Sequence, residues 1–226
     1  MREVVIDTET TGLSYKTGDR IIEVGCVELI NHVATNNFLQ FYCKVDKKIS
    51  EGAQKITGIT NKFLDDKKSF SNHCDDFLAF IDNDPLIIHN AEFDIGFINN
   101  ELSLLGKPKL SNPVVDTVSL ARKVLNTRVA NLDYLCRRFK VDLSERDLHG
   151  ALLDSRLLAE VYLELRGGKQ FSMNLAKNNQ ENKKTNNNKT SNQKNITKLT
   201  PSKKDVELHR IMVSEIKQPI WKKYIY

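Results

Sequence analysis

Three acidic patches far apart in the chain hold the residues best suited to chemistry: Asp7-Thr8-Glu9, Asp94 within His89-Asn90-Ala91-Glu92-Phe93-Asp94, and His149 followed five residues later by Asp154. Four carboxylates and one imidazole, each attached to an apolar element, are suited to holding two hard cations against a phosphate. They point to a metal-dependent phosphodiesterase.

The spacing supports a shared site. Asp7 and Glu9 are two apart at the end of the apolar run Val4-Val5-Ile6, so on a strand their side chains point the same way. Neighbouring carboxylates repel, and burying them uncompensated costs several kcal/mol, which a divalent cation offsets. Asp94 falls near a helix start, where a carboxylate also suits the macrodipole. Asp154 sits among Leu152, Leu153, Leu157 and Leu158. Each acid alone is compatible with an ordinary solvated side chain; the combination carries the inference. If His149 and Asp154 were both helical they would lie roughly 140° apart. Gly150 lets His149 stand just outside the helix, on a segment able to swing over the metals. A histidine titrating near neutrality suits a general base.

The elements that must position these residues alternate. Val4 to Asp7 begins a sheet, and Arg20 to Ile30 and Phe38 to Val45 read as two further strands, joined closely enough to pair antiparallel. Residues 62–82 read as helix, Leu86-Ile87-Ile88 as a buried strand, Ala91 to Leu105 as helix and Val114-Val115 as strand. Helices follow at 117–125, 131–139 and 150–165. That order predicts a mixed α/β sheet with helices on its faces.

Composition bounds the rest. At 226 residues and 40% hydrophobic content, the chain can bury one sizeable core with an appendage. Cys26, Cys43, Cys74 and Cys136 form no C-x-x-C pair and fit a reducing cytosol better than a zinc site or a disulfide framework. Met1-Arg2-Glu3 runs straight into the first apolar segment, and no apolar stretch reaches membrane-spanning length, so a cytoplasmic protein is expected.

The charge divides unevenly. Residues 174–200 hold six Lys and one Glu, and residues 201–226 hold six Lys plus Arg against three Asp plus Glu, so the total of +5 leaves residues 1–173 at −3. Nine Asn in 174–200 predict a disordered linker between a folded domain, 1–173, and a C-terminal segment, 201–226. In that segment Ser202 and Asp205 can cap a helix bearing Leu208, Ile211, Met212 and Ile216. Pro219 ends it before Ile220, Trp221, Tyr224, Ile225 and Tyr226, and so short an apolar segment needs a partner surface.

Val5-Ile6-Asp7-Thr8-Glu9-Thr10-Thr11-Gly12-Leu13, Ile87-Ile88-His89-Asn90-Ala91-Glu92-Phe93-Asp94-Ile95-Gly96-Phe97 and His149-Gly150-Ala151-Leu152-Leu153-Asp154 resemble the three exonuclease motifs of the DEDDh family. Arg20 to Gly25, Ile56 to Thr60 and Ala159 to Tyr162 extend the likeness through nearly all of residues 1–168, nearest to the epsilon proofreading subunits of bacterial DNA polymerase III. The resemblance implies a ribonuclease H-like fold with a five-stranded sheet and stepwise 3′ to 5′ removal of nucleoside 5′-monophosphates.

Transferred by position, Asp7, Glu9, Asp94 and Asp154 resemble the family's metal-binding acids and His149 its general base. The all-oxygen ligands select Mg²⁺ or Mn²⁺ over zinc, and Asp7, Glu9 and Asp154 thereby also meet the substrate. Thr11, Gly12 and Leu13 match the segment that seats the terminal nucleotide, with backbone amides near the sugar and an apolar wedge beside the base. Phe93 is a stacking candidate as well as a core aromatic. The implied partners are a single-stranded or frayed DNA 3′ end, the polymerase subunit through residues 201–226, and a sliding clamp through Gln170 to Leu175. An RNA-trimming exoribonuclease and a catalytically idle scaffold remain alternatives at this point.

Overall fold

Val4-Val5-Ile6 has no polar face to turn to solvent, and the computed structural model, which describes residues 1–144, 146, 148–168 and 202–215, places it on the central strand of the sheet. Strand β1 (Arg2–Thr10) runs antiparallel to β2 (Ile21–Ile30), which turns into β3 (Val33–Tyr42) through Asn31 and His32, at φ of 52° and 69°. A two-residue loop with both φ positive matches the twist of paired strands. Helices α1 (Glu51–Thr57), α2 (Asn61–Leu64) and α3 (Phe70–Ile81) lead to β4 (Leu86–Ile88). Then come α4 (Ala91–Leu104), β5 (Val114–Asp116), α5 (Thr117–Leu125), α6 (Leu132–Phe139) and α7 (Ala151–Leu165). The strand order is β3-β2-β1-β4-β5, with β4 parallel to β1 and β5 parallel to β4. The expected mixed sheet flanked by helices is present.

Local expectations change at three places. The third strand, expected over 38–45, runs from Val33 to Tyr42, because the hairpin turn sets its register and an edge strand tolerates Asn36 and Asn37. The single helix expected over 62–82 is two, since Asp65-Asp66-Lys67-Lys68 offers nothing apolar to bury. Thr60 caps the first by accepting the Phe63 amide at 3.2 Å, and Ser69 stands at the start of the second. Helix α1 has no counterpart among the expected elements; Ser50 caps it and Gly58, at φ 71°, ends it in the left-handed region.

Alternation along β1 decides which acids face which layer. Val4 and Ile6 pack with Phe77, Phe97 and Ile98 on one face of the sheet, while Val5 packs with Leu135, Leu158, Val161 and Tyr162 on the other. Continued past Ile6, the alternation sends Asp7 and Glu9 toward α7 and Thr8 toward α4. Strand β4 pairs only as far as Ile88 opposite Ile6, so β1 extends beyond its parallel neighbour. A crevice at the carboxyl end of parallel strands is the usual ligand site of such sheets.

Helix α7 reaches that crevice because β2 carries a glycine beneath it. Gly25 pairs with Asp7 across the strands, and its carbonyl accepts the Ser155 hydroxyl at 2.9 Å. A Cβ at Gly25 would lie 2.3 Å from the Ala151 carbonyl carbon. Below this contact Leu157, Leu158, Val161, Tyr162 and Leu165 are buried. At about 1.5–3 kcal/mol per side chain their burial outweighs the several kcal/mol that sequestering Asp154 costs.

The chain divides into two units, residues 1–175 and 176–226. In the second the described residues include α8 (Lys203–Glu215), capped by Ser202 with Asp205 and exposing Leu208, Ile211 and Met212. The expected linker 174–200, the stretch Gln170 to Leu175, and Ile216, Trp221 and the other apolar residues after α8 lie outside the described residues. Among the described residues no helix is long and apolar enough to cross a membrane.

Gly25→Ala should therefore force α7 off the sheet. The expected cost is about 2 kcal/mol or more, seen as a melting temperature several degrees lower together with loss of catalysis. A melt and rate matching wild type would show that α7 is positioned by something other than this contact.

Candidate active site

Thr8 and Asp94 join the two layers. Asp94, in the first turn of α4, is buried, and its Oδ1 accepts both the Thr8 amide at 2.9 Å and the Thr8 hydroxyl at 2.7 Å. Its other oxygen takes no part in these two bonds. Asn90 precedes the helix at φ 66°, a left-handed conformation that asparagine tolerates, and turns the chain from β4 into α4.

Glu9, His149 and Asp154 converge from the other side, with one ligand atom from each lying within 4.8 Å of the others. Gly150 is extended at the N-cap of α7, so His149 stands outside the helix, with Nδ1 3.3 Å from Asp154 Oδ2 and the side chain 46% exposed. The 140° separation of a continuous helix is thereby avoided. The His149 amide donates to the Ile56 carbonyl at 3.0 Å, tying this segment to α1. Asp7, His89, Arg146, His149 and Asp154 line one cavity of about 400 Å³. His89 donates to or accepts from the Thr117 hydroxyl at 2.9 Å, and burial holds its pKa below the ordinary value.

Three residues that the motif pattern does not single out complete the arrangement. Thr8 orients Asp94, as above. Glu23, opposite Glu9 in the β1–β2 register, is buried and accepts the Ala151 amide at 3.1 Å and Gln40 Nε2 at 2.7 Å. It caps the start of α7 where Gly150 has no side chain to do so. Arg146 grips Asp154 with Nε at 2.6 Å and Nη2 at 2.8 Å. An acid inside the apolar strand Ile21-Ile22-Glu23-Val24 and an arginine three residues before His149 are visible signals, though neither reveals its partner.

The electrostatics fit a cation. Burial first, then the charges of Asp94, Glu9, Asp154 and Glu23, push Asp7 well above the usual carboxylate range. Burial and the neighbouring acids raise Glu9 to about 8, with only Arg146 acting in the opposite sense. Asp94 is pushed up to about 7 by burial, against the lowering effect of the Thr8 hydrogen bonds. Carboxylates held this close are strained toward the neutral form, and an oxygen-seeking divalent cation relieves that strain.

Beside this cluster the turn after β1 forms a second wall. Leu13 is 88% exposed and, with Tyr15, Lys16, Asn90 and Phe93, lines a cleft of about 290 Å³. Phe93 faces that cleft and also packs on Phe97 at 4.8 Å, so it belongs to both surface and core. Gly12 lies against Asp19, whose carboxylate would be 2.5 Å from any Cβ there. Thr11 is buried, with its amide on the Arg20 carbonyl at 2.9 Å and its hydroxyl on Asp19 at 3.2 Å. These bonds brace the turn that carries Thr11, Gly12 and Leu13.

Sheet order, flanking helices and acids at the carboxyl end of β1 define a ribonuclease H-like exonuclease. The Exonuclease family model matches residues 4–162. The DNA polymerase III subunit epsilon of Rickettsia felis is 45% identical over 226 residues, spanning 96% of this chain and 97% of that protein. The subunit of the same name from Escherichia coli strain K12 is 44% identical over 183 residues, 77% of this chain and 75% of its own. Among solved structures, Exonuclease X in complex with 5′ overhanging duplex DNA superposes with a TM-score of 0.58 at 24% identity, covering 72% of this chain and 90% of that one. The nuclease domain of 3′hExo, a DEDDh family member bound to rAMP, reaches 0.63 at 18% identity over 73% and 90%. These two likenesses establish the fold. The chain belongs to the DNA polymerase III epsilon family of proofreading 3′-5′ exonucleases.

The raised carboxylates make stability depend on pH with a definite sign. Glu9, at about 8 when folded against 4.5 ordinarily, keeps a proton that the unfolded chain has released. Its stabilising contribution is complete below about pH 4.5 and is lost as pH rises through about 8. Without metal, the melting temperature in EDTA should fall across that window, and fall less in Glu9→Gln. Added Mn²⁺ should stabilise more at pH 8 than at pH 5.5, where protons compete for the same oxygens. Identical pH slopes for wild type and Glu9→Gln would remove Glu9 from the protonated cluster.

Proposed function

We propose that Asp7, Glu9, Asp94 and Asp154 hold two divalent cations, Mg²⁺ or Mn²⁺, that His149 is the general base, and that the substrate is a DNA 3′ end from which nucleoside 5′-monophosphates are released. The observation supporting this is the convergence of these acids and one imidazole from β1, α4 and the entrance to α7 on a single crevice. When bound, such a pair of ions supplies Lewis-acid activation of water and stabilisation of the departing 3′ oxygen.

The chain's own residues do the rest. His149 is half-exposed beside Asp154, in position to take the proton from the attacking water. Asp154 and Asp7 approach from the α7 face, and Thr8 fixes one oxygen of Asp94 so that the other would be available as a ligand. Thr11, Gly12 and Leu13 seat the terminal nucleotide, with Leu13 wedged beside the base and Phe93 lining the cleft. A mismatched end enters at a lower unpairing cost, which favours removal of errors without a dedicated contact.

The relatives are named as subunits of DNA polymerase III. We assign the polymerase contact to residues 201–226, where α8 exposes Leu208, Ile211 and Met212, and a sliding-clamp contact to Gln170 to Leu175. An amphipathic helix on a linker of 27 residues would raise the local concentration of exonuclease at the primer end without any new active-site contact.

Asp7→Asn should abolish exonuclease activity while melting in EDTA at or above the wild-type temperature, because it removes a carboxyl that burial and neighbouring acids disfavour in its ionised form. Near-normal cleavage at saturating metal would overturn the ligand assignment. His149→Ala should lose about 10²- to 10⁴-fold in rate with little change in DNA affinity; an unchanged rate would take His149 out of the mechanism. Comparing a 3′-mismatched DNA primer with RNA of the same sequence separates proofreading from RNA trimming.

Deleting residues 176–226 should leave hydrolysis of free single-stranded ends nearly unchanged and abolish stable association with the polymerase subunit. Co-purification of the truncated chain with the polymerase as tightly as the full chain would show that the tail is not the tether.

A further inference from the structure

The side chain of Arg146 is only 7% exposed and meets three separate groups. Its Nε and Nη2 take both oxygens of Asp154, at 2.6 and 2.8 Å. Nη1 meets Asp133 Oδ1 at the start of α6, and Nη2 stands 3.1 Å from His149 Nδ1. Its charge opposes the upward shift of Glu9.

A bidentate arginine pair takes one lone-pair direction on each carboxylate oxygen and leaves the other, so a cation that binds Asp154 must either share that carboxylate with the guanidinium or displace it. If Asp154 is a metal ligand, the reading on which this inference rests, cation and guanidinium compete for the charge of one carboxylate. A divalent cation within reach of Asp154 would also stand close to the guanidinium and repel it. The guanidinium has somewhere to go. Asp133 is 45% exposed, lies outside the acid cluster, and already holds the Nη1 side of the same group. Nη2 of the same guanidinium stands against the His149 ring, so displacement of Arg146 removes a neighbour that holds that ring.

We propose that Arg146 is the built-in counter-cation of the metal-free site: it occupies Asp154 until divalent cations displace it onto Asp133, and its release couples metal entry to the placement of His149. It is a positioning residue, acting through Asp154 and His149. The arginine thereby keeps a cluster of buried acids folded before metal arrives, at the expense of weaker metal binding.

Titration calorimetry with Mn²⁺ on the full chain without DNA, paired with melting curves in EDTA and in saturating Mn²⁺, tests this. Arg146→Gln should bind Mn²⁺ about tenfold or more tightly than wild type and melt lower in EDTA, with the gap closing in saturating Mn²⁺. Arg146→Lys, which keeps the charge but cannot span both oxygens, should fall between the two. Asp133→Asn, at a half-exposed position that the fold tolerates, should bind Mn²⁺ more weakly because the displaced guanidinium has lost its second anchor. Unchanged or weaker Mn²⁺ binding in Arg146→Gln, with the same melting gap in both conditions, would overturn the proposal and make Arg146 a fixed support of Asp154. Should Arg146→Gln fail to fold, Asp133→Asn with wild-type Mn²⁺ affinity would overturn it equally. Asp154→Asn separates the two levels: full Mn²⁺ affinity there would defeat the assignment of Asp154 as a ligand, whatever Arg146 does.

Discussion

Mutual repulsion among buried carboxylates is the constraint on which the rest of this structure depends. Asp7, Glu9, Asp94 and Asp154, with Glu23 beside them, are crowded at one end of a strand; burial raises the first three, and neighbouring charge adds to it for Asp7 and Glu9. Nothing about folding alone calls for such a cluster, since Asp7, Glu9 and Asp94, raised as they are, lower the stability of the metal-free chain at neutral pH. The fold supplies the offset from elsewhere. Two apolar layers sandwich the sheet, and the helix that brings in Asp154 is anchored by a run of fully buried side chains. Protons and Arg146 make up the remaining difference until cations bind.

The geometry follows from a few local rules acting together. Period-two alternation on β1 separates Asp7 and Glu9 from Thr8, placing the two acids before α7 and the threonine before α4. Because β4 ends opposite Ile6, those last residues of β1 project into a crevice instead of a ladder. Gly25 then allows α7 to land on β2 directly across from Asp7, and Glu23 receives the first amide of that helix. Each step is ordinary; their coincidence at one strand end makes a site for hard cations facing a phosphate.

Much of this was legible in the residues. The alternation that aligns Asp7 with Glu9, the helix start that carries Asp94, and the glycine that frees His149 from its helix all depend on local pattern, and the structure reproduces them. Helix α5 falls on the expected residues 117–125 for the same reason, since Asp116 caps it and its apolar positions repeat at helical spacing. What was not legible depends on partners distant in sequence. Strand β3 takes its bounds from a hairpin and from β2, so polar Asn36 and Asn37 hid it. The role of Thr8 appears only once α4 has folded back 86 residues later, and the Thr11 amide is spent on Arg20 only once the turn has closed. Arg146 reads as one more basic residue in a loop until Asp154 and Asp133 meet it.

The central claim is that this site is held together by protons that metal replaces, and the most direct measurement is the number of protons released on metal binding. Mn²⁺ titrated into the full chain at pH 7 in buffers of different ionisation enthalpy yields that number without reference to catalysis. With Glu9 raised to about 8 and Asp94 to about 7, the account predicts release of roughly one to two protons, fewer in Glu9→Gln. Binding with no proton release would mean that the carboxylates are already fully ionised side by side, and would contradict the account.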